Sequence, residues 1–391
     1  MTPTGQKIPE MRYAATLSGV IALRMMGLFL LLPVFMVLAV DVPGYTPLLA
    51  GVAVGIYGLT QAILQQPFGW LSDRWGRRPV LLLGLALFAI GGVIAATVET
   101  MPALIAGRAL QGCGAIAGVA MALAADISRP EKRSIIMAVI GMGIGASFLV
   151  SMLLSVPLAT LVGLDGLFWI TAALAVAGMA MVMTVPSIAP VHETAAHEES
   201  PRTRPVWLLA LSVFLLHAVM TLLFVAFPPM LVAKFGLALS GHWKIYVPTM
   251  SLSVAVVVPA LRRMGRSLSE HRFLPWASLA LSVSLIALPH SQPWLMMGAV
   301  VTVYFLGFNL LEAAMPSVLS RITGSRGRGR KMGLYSTFQF IGAFIGGVAG
   351  GWLLARLGSE AALVSAGVVC LLWTVVLFRV VPGFFPTGKA V

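Results

Sequence analysis

The stretch Gly69-Trp70-Leu71-Ser72-Asp73-Arg74-Trp75-Gly76-Arg77-Arg78-Pro79 decides the fold of this chain. We call it the charged segment, because it places Asp73, Arg74, Arg77 and Arg78 between two long apolar runs. Charge is scarce elsewhere, since Asp, Glu, Lys and Arg make up only 10% of the 391 residues. A concentration of charge in such a chain indicates a place with a specific task.

The composition is that of a membrane protein. The chain is 59% hydrophobic, above the roughly 45 to 50% of soluble domains, and its mean hydropathy is +0.96. About 20 apolar residues cross a bilayer core of about 30 Å as a helix. We predict an all-α membrane protein, because the runs lack the alternation of barrel strands. Twelve apolar runs predict twelve spans, at residues 13–40, 48–71, 79–98, 102–125, 134–162, 166–186, 207–232, 243–261, 273–289, 293–319, 333–354 and 361–381.

The positive charge lies on one predicted side of the membrane. The net charge is +13, and most Lys and Arg residues fall in segments that share a side with the N-terminus. The opposite loops hold only Lys234, Lys244 and Arg356. Cytoplasmic loops of membrane proteins carry an excess of Lys and Arg. We therefore predict that both termini are cytoplasmic, and that the charge reflects topology rather than a nucleic-acid partner.

The spans divide into two halves. The longest polar stretch lies after the sixth span, which predicts a bundle at residues 1–186, a cytoplasmic linker at 187–206 and a second bundle at 207–391. Paired bundles of this kind are common in transporters. Glycines spaced four residues apart predict close approaches between helices, at Gly51 and Gly55, Gly114 and Gly118, Gly141 and Gly145, Gly342 and Gly346, and Gly347 and Gly351.

Two motifs give the chain a family resemblance. The loop signature of the major facilitator superfamily resembles Gly69-x-Leu71-Ser72-Asp73-Arg74-x-Gly76-Arg77-Arg78, which we place between spans two and three. The span-four motif of its drug:proton antiporter branch with twelve spans is similar to the run from Arg108 to Ala115. Runs such as Gly55 to Gln61 resemble YajR-type efflux transporters of bacterial inner membranes. The resemblance implies two pseudo-symmetric six-helix bundles.

The resemblance also implies a function. It implies a monomeric secondary active transporter of the bacterial inner membrane that exports small lipophilic compounds in exchange for protons, by alternating access. Its partners are then the substrate, protons and the lipid bilayer, and the proton gradient takes the place of a cofactor. Some members of that group carry a further soluble domain after the last span, and we expect none in this chain.

Span five leaves the direction of transport open. It contains Leu154-Ser155-Val156-Pro157-Leu158, where antiporters of this branch have a glycine-rich element. Proton-coupled uptake or exchange of an anionic metabolite is therefore the alternative, and a non-transporting membrane scaffold or sensor is a third, less favoured reading. No metal site and no enzyme are predicted, since the sequence has neither clustered metal ligands nor a phosphate-binding G-x-x-x-x-G-K-[ST] motif.

In the family fold the charged segment faces the start of span eleven, near Met332 and Gly333. Asp73 there is expected to meet a positive helix N-terminus, and Arg77 is expected to pair with Asp126 at the end of span four. We interpret this arrangement as a conformational latch. The alternative is that the arginines only set the topology. The predicted latch residues are Gly69, Asp73, Arg74, Gly76, Arg77, Arg78 and Asp126.

Four ionisable residues lie well inside the predicted spans. They are Arg24, Arg108, His217 and Glu312, in spans one, four, seven and ten, which line the central cavity in this family. A charge at mid-membrane is costly and usually faces a cavity or a partner. Glu312 is the only carboxylate among them and our first candidate for the proton site, with His217 as the second, because histidine readily changes its protonation near neutral pH. The alternatives are a static ion pair for Glu312 and a hydrogen-bonded structural role for His217.

The two arginines complete the set of candidates. Arg108 resembles a buried arginine that influences proton movement in this family, whereas Arg24 is expected either to bind an anionic substrate or to neutralise Glu312. An adaptable pocket with a few polar anchors is expected beside them. Its candidate residues are Met25, Met26, Phe29, Tyr57, Gln61, Gln65, Phe224, Phe305, Asn309, Tyr335 and Gln339.

Overall fold

The computed structural model describes residues 10–129, 132–186, 203–267, 270–292, 294–323 and 328–384. These residues form helices joined by short connections, and no strand occurs among them. The α-helices are α1 (Glu10–Phe29), α2 (Phe35–Leu38), α3 (Pro47–Trp75), α4 (Arg77–Thr97), α5 (Met101–Cys113), α6 (Ala117–Ile127), α7 (Arg133–Met183), α8 (Thr203–Ala233), α9 (Trp243–Ser267), α10 (Leu274–Ala287), α11 (Trp294–Ile322) and α12 (Arg328–Phe384).

Nine helical stretches in the described part of the chain are long and apolar enough to cross a membrane. The longest two, Ile135–Met183 and Lys331–Phe384, contain 49 and 54 residues. A straight helix of that length measures roughly 75 to 80 Å, more than twice the bilayer core. One glycine with non-helical backbone interrupts each of them, Gly163 (φ 68°) in α7 and Gly358 (φ 81°) in α12. Each therefore has the length of two crossings, which raises the nine stretches to eleven. With α1, which is 20 residues long, the described helices are compatible with twelve spans.

The structure corrects two predicted boundaries. The first run is not one helix, because turns separate α1 from α2 after Phe29. Span four is confirmed as one apolar stretch, Met101–Ile127, although its helix is interrupted between Cys113, where α5 ends, and Ala117, where α6 begins. The charged segment is not a loop, because α3 continues to Trp75 and α4 starts two residues later. Hydropathy marks where apolar runs end, but a helix continues for as long as its backbone hydrogen bonds do.

The chain forms two compact units. Unit 1 contains Met1–Tyr45 and Ile56–Thr194, and unit 2 contains Thr46–Gly55 and Ala195–Val391. Most of the linker predicted at 187–206 lies outside the described residues, which resume at Thr203.

Unit 1 is built around α1, α4 and α7. Its α7 packs on both α1 and α4, and α6 contacts all three. The core between them is apolar, with Leu17, Val20, Leu81 and Leu85 fully buried. Serine hydroxyls also hold α7 to α1, because Ser151 and Ser155 of α7 donate to the carbonyl oxygens of Met26 and Leu30.

Unit 2 is built around α12, which packs on α8 and α10. Two predicted glycine pairs bring α12 close to α8 and to the start of α3. A Cβ atom on Gly342 or Gly346 would overlap the backbone of α8 at Phe214 or Ala218, and one on Gly347 or Gly351 would overlap the backbone at the start of α3. Small residues let membrane helices approach closely in this way. The pair Gly141 and Gly145 of α7, by contrast, is exposed.

Candidate functional site

Gly76 joins α3 to α4 within the charged segment. Its φ is 92°, in a region that glycine enters without the steric cost paid by other residues. As the single residue between the helices, it brings Asp73 of α3 and Arg77 of α4 together, and their side chains form an ion pair. The backbone at Gly76 therefore explains why this glycine belongs to the motif.

Arg77 is the centre of a polar network in unit 1. Its Nε atom lies 3.0 Å from Asp126 Oδ2 in α6, and it donates to Ser72 Oγ at 2.6 Å. The Arg77 and Asp126 side chains are 10% and 12% exposed, whereas that of Asp73 is 51% exposed. Arg77 thus ties the ends of α3 and α6 together and leaves the Asp73 carboxylate half open to its surroundings.

The other members of the charged segment make local contacts. Arg78 donates to the carbonyl oxygen of Met183 at the end of α7, at 2.9 Å, and the Arg74 guanidinium lies 4.0 Å from the centre of the Trp70 ring. Gly69 has no atom within 4 Å of where a Cβ would stand. The expected place of Asp73 beside Met332 and Gly333, which belong to unit 2, stays a prediction.

A second ion-pair cluster lies at the start of α1. Glu10, whose side chain is 9% exposed, accepts from Arg129 at 3.0 Å and lies 3.7 Å from Lys132. Sequence reasoning missed it, because Glu10 stands in the polar N-terminal stretch, far in sequence from both partners.

Unit 1 also buries two arginines around one aromatic ring. The guanidinium carbons of Arg24 in α1 and Arg108 in α5 lie 5.6 Å and 5.2 Å from the centre of the Tyr57 ring of α3. Both arginines are 1% exposed. The Arg24 guanidinium donates to Gln61 Oε1 and lies 3.7 Å from Met25 Sδ. We call Arg24, Tyr57, Gln61 and Arg108 the arginine cluster.

A polar chain extends the arginine cluster towards α7. Arg108 donates to Gln111 Oε1 at 2.8 Å, and Gln111 donates to Thr171 Oγ1 at 3.0 Å. Gln111 belongs to the span-four motif, three residues after Arg108, so its place was visible in the sequence. Thr171 carried no such signal, because it lies 60 residues further along the chain.

Unit 2 brings His217, Gln339 and Glu312 together from three helices. The Gln339 amide nitrogen of α12 lies 2.8 Å from His217 Nε2 of α8 and 3.4 Å from Glu312 Oε1 of α11. His217 Nε2 is 3.7 Å from Glu312 Oε2. His217 is buried, whereas 38% of the Glu312 side chain is exposed. We call these three residues the proton-site cluster.

The contacts of His217 match a neutral imidazole with its proton on Nδ1. His217 Nδ1 lies 3.1 Å from the carbonyl oxygen of Val213, and Nε2 lies 2.8 Å from the Gln339 amide nitrogen. With the proton assigned to Nδ1, that nitrogen donates to Val213 and Nε2 accepts from Gln339.

The remaining pocket candidates divide between the units. In unit 1, Phe29 packs edge-on against Phe148, with 4.9 Å between the ring centres, and Gln65 is buried. The Met26 carbonyl oxygen accepts the hydrogen bond from Ser151 of α7. In unit 2 the structure buries Phe224 against Tyr246, packs Phe305 on Tyr304, and joins Asn309 to Ser253 at 2.9 Å. Tyr335, 4% exposed, lies one turn before Gln339.

A family comparison adds to this geometry. The model of the Major Facilitator Superfamily matches residues 17–317 and 210–389. The chain belongs to this superfamily. It is a multi-pass membrane transporter with the major facilitator fold, and it is not an enzyme.

Relatives within the superfamily cover most of the chain. Inner membrane transport protein YajR of Escherichia coli is 36% identical over 380 residues, 94% of this chain and 83% of the relative. Multidrug resistance protein MdtH of Salmonella arizonae is 24% identical, over 84% of this chain and 82% of the relative. The crystal structure of a D-xylose-proton symporter has a TM-score of 0.76 at 16% identity, covering 99% of this chain and all of the other, which shows the shared fold alone.

Proposed function

We propose that this major facilitator protein exports small lipophilic compounds across the bacterial inner membrane in exchange for protons, acting as a monomer by alternating access with no cofactor beyond the proton gradient. The observation that carries the proposal is the proton-site cluster. It combines a titratable imidazole with a carboxylate on different helices of unit 2, joined by one amide. The relatives named as an inner membrane transport protein and a multidrug resistance protein support the substrate class.

A proton arriving at His217 changes the contacts of three helices. In the described state Gln339 donates to both His217 Nε2 and Glu312 Oε1. A protonated Nε2 is itself a donor, so the Gln339 amide nitrogen has to leave it. Glu312 Oε2, 3.7 Å away, is then the natural acceptor, because an ionised pair attracts more strongly than a neutral one. Protonation thus exchanges an α8–α12 contact for an α8–α11 contact.

The charged segment supplies the second part of the mechanism. We propose that it acts as a latch that stabilises one conformation of the transport cycle, with both termini on the cytoplasmic side. The contacts of Arg77 support this role, because they hold the ends of α3, α4 and α6 together while Asp73 stays half exposed. Arg108, one turn before Gln111, remains a candidate for influencing proton movement.

The proton site is tested by Glu312→Gln. In proteoliposomes with a trapped pH-sensitive dye, we test a panel of lipophilic compounds that includes organic anions and neutral molecules. With wild-type protein we expect a transported compound to drive protons in the direction opposite to its own. Glu312→Gln is expected to lose this proton movement while eluting as a folded monomer, because an amide neither exchanges a proton nor forms an ion pair with a protonated His217. Glu99→Gln is the matched control, since Glu99 is exposed and takes part in no ion pair among the described residues.

The same assay separates the alternative functions. Retained proton movement in Glu312→Gln would show that the carboxylate is only a static partner. Protons that travel with the substrate would replace export by uptake, and a wild-type protein that moves neither a test compound nor protons would be a scaffold or sensor.

A further inference from the structure

The arginine cluster contains a buried guanidinium, that of Arg24, with no carboxylate partner among the described residues. Arg24 is 1% exposed, and its polar partners are the Gln61 amide and the Met25 sulfur. The rings of Tyr57 and Phe88 lie 5.6 Å and 5.9 Å from its guanidinium carbon. No ion pair between described residues contains Arg24. A buried charge is costly unless it is paired with an opposite charge.

The unsatisfied atoms of the cluster are all able to donate a hydrogen bond. Arg24 Nε, Gln61 Nε2 and the Tyr57 hydroxyl are buried and have no hydrogen-bond partner among the described residues. Two amide oxygens at the cluster are occupied, because Gln61 Oε1 accepts from Arg24 and Gln111 Oε1 accepts from Arg108. A third, Gln65 Oε1, lies one turn after Gln61 in α3 and is buried without a partner in the described part of the chain. Buried polar groups in folded proteins are almost always paired. Three unpaired donors thus exceed the one unpaired amide oxygen, which points to an added acceptor group.

We infer that the arginine cluster binds the carboxylate, or a similar oxyanion, of an amphipathic organic anion, which is the substrate class of the transporter. This inference rests on the proposed function. An anionic group matches the guanidinium and the three donors, and the adjoining side chains of Met25 and Phe88 suit an apolar body. Since the cluster is closed in the described state, the substrate binds a conformation in which α1 and α3 admit it.

The anion site develops one of the two roles that the sequence left open for Arg24, the binding of an anionic substrate. The other role, the neutralising of Glu312, concerns a residue of unit 2 and stays a prediction. The cluster and the proton-site cluster belong to different units, so each can be tested by itself.

The first test compares two ligands that differ in charge alone. Tritiated naphthoate and its neutral isostere naphthamide are dialysed against the full chain in nanodiscs of zwitterionic phosphatidylcholine. We expect wild-type protein to bind naphthoate about tenfold or more tightly than naphthamide, the effect of one charge-assisted hydrogen bond. Arg24→Met should lose this preference, and Arg24→Lys should keep part of it. Arg12→Met is the matched control, because Arg12 lies exposed on the same helix.

The second test introduces a carboxylate beside Arg24 by mutation. Gln61→Glu changes the Arg24 partner from an amide to a carboxylate of nearly the same shape. We expect it to raise the unfolding temperature and also to abolish the naphthoate preference, because the site is already neutralised. A residue with a purely structural role would not link these two effects.

Three outcomes would overturn the inference. They are equal binding of both ligands by the wild type, a naphthoate preference that survives in Arg24→Met, and a preference that disappears in phosphatidylglycerol nanodiscs, which would assign the cluster to a lipid headgroup. Naphthoate binding that depends on Arg24 without any proton movement would instead retain the anion site and reject proton-coupled export.

Discussion

At the scale of the residue, two buried arginines of unit 1 have opposite surroundings. Arg77 contacts two carboxylates, those of Asp73 and Asp126, whereas Arg24 contacts an amide, a thioether and two rings. Guanidinium groups stack favourably on aromatic faces, but this attraction is weaker than that of a buried, hydrogen-bonded carboxylate. The contacts of Arg77 are therefore those of a structural residue, whereas the contacts of Arg24 fit the anion-binding role proposed above.

The two partners of Arg77 are expected to differ in their effect on stability. Asp126→Asn weakens a nearly buried charge-assisted hydrogen bond, for which we expect a loss of about 1 to 3 kcal/mol. Asp73→Asn affects a half-exposed pair, for which we expect less than about 1 kcal/mol. Thermal unfolding of the purified variants in detergent measures both. Equal losses would contradict the different burial of the two carboxylates.

This difference makes Asp73 the better probe of the latch. Because Asp73→Asn should fold almost as stably as the wild type, a change in its transport rate, or in the accessibility of engineered cysteines, reports on the conformational balance. The latch proposal fails if both properties remain those of the wild type.

Which residues pair was only partly predictable. The pair of Arg77 and Asp126 was expected from the family resemblance. The contacts of His217 with Gln339 and of Gln111 with Thr171 were not, because they join helices 122 and 60 residues apart in the chain. Such contacts depend on the rotation of each helix about its axis, and an evenly apolar membrane helix carries little sequence signal for that rotation.

At the scale of the element, α12 is shaped by its glycines. Gly342 and Gly346 face the carbonyl groups of Phe214 and Ala218 in α8 so closely that a Cβ atom would overlap them. Packing between membrane helices has no hydrophobic driving force and relies on such close contact. The distance between α8 and α12, which carry His217 and Gln339, is therefore set by these small residues.

Gly346→Ala is expected to destabilise unit 2. The added methyl group overlaps backbone that cannot rotate away, and overpacking of this kind costs about 1 to 3 kcal/mol. Gly298→Ala is the matched control in α11, because no atom lies within 4 Å of its Cβ position. That control is expected to be neutral, or more stable by up to about 1 kcal/mol from helix propensity. Similar unfolding temperatures for both variants would refute the close contact.

The elements themselves were more predictable than their pairings. The break between the fifth and sixth apolar runs was placed after residue 162, and the structure breaks α7 at Gly163. The charged segment was predicted as a loop, yet it is helical on both sides of Gly76. Polar residues can stay helical when their side chains find partners, as Ser72 and Arg77 do, and hydropathy does not register such partners.

At the scale of the whole molecule, the distribution of charge predicts the topology. Labelling of single cysteines with a membrane-impermeant maleimide in intact spheroplasts tests it, after replacement of Cys113 and Cys370 by serine. We expect Ser240→Cys, in the exposed connection after α8, to react from outside. Arg204→Cys, exposed at the start of α8, should react only after the membrane is disrupted. The opposite pattern would invert the predicted orientation.

The fold was predictable at this scale because hydrophobicity and length determine which segments cross a membrane. The chemistry of the substrate was not, since the proposed site depends on the contact between Arg24 and Gln61, and a hydropathy pattern does not show which side chains meet.

Gly163 and Gly358 have a consequence for the handedness of the chain. Each breaks a long helix at a positive φ, and no atom lies within 4 Å of where a side chain would begin. Neighbouring atoms therefore leave room for a side chain at both positions. Only the positive φ disfavours an L-amino acid there. A mirror-image D-alanine would adopt this backbone with ease, whereas an L-alanine would be strained. Glycine occupies both positions because it is the only encoded amino acid that is achiral.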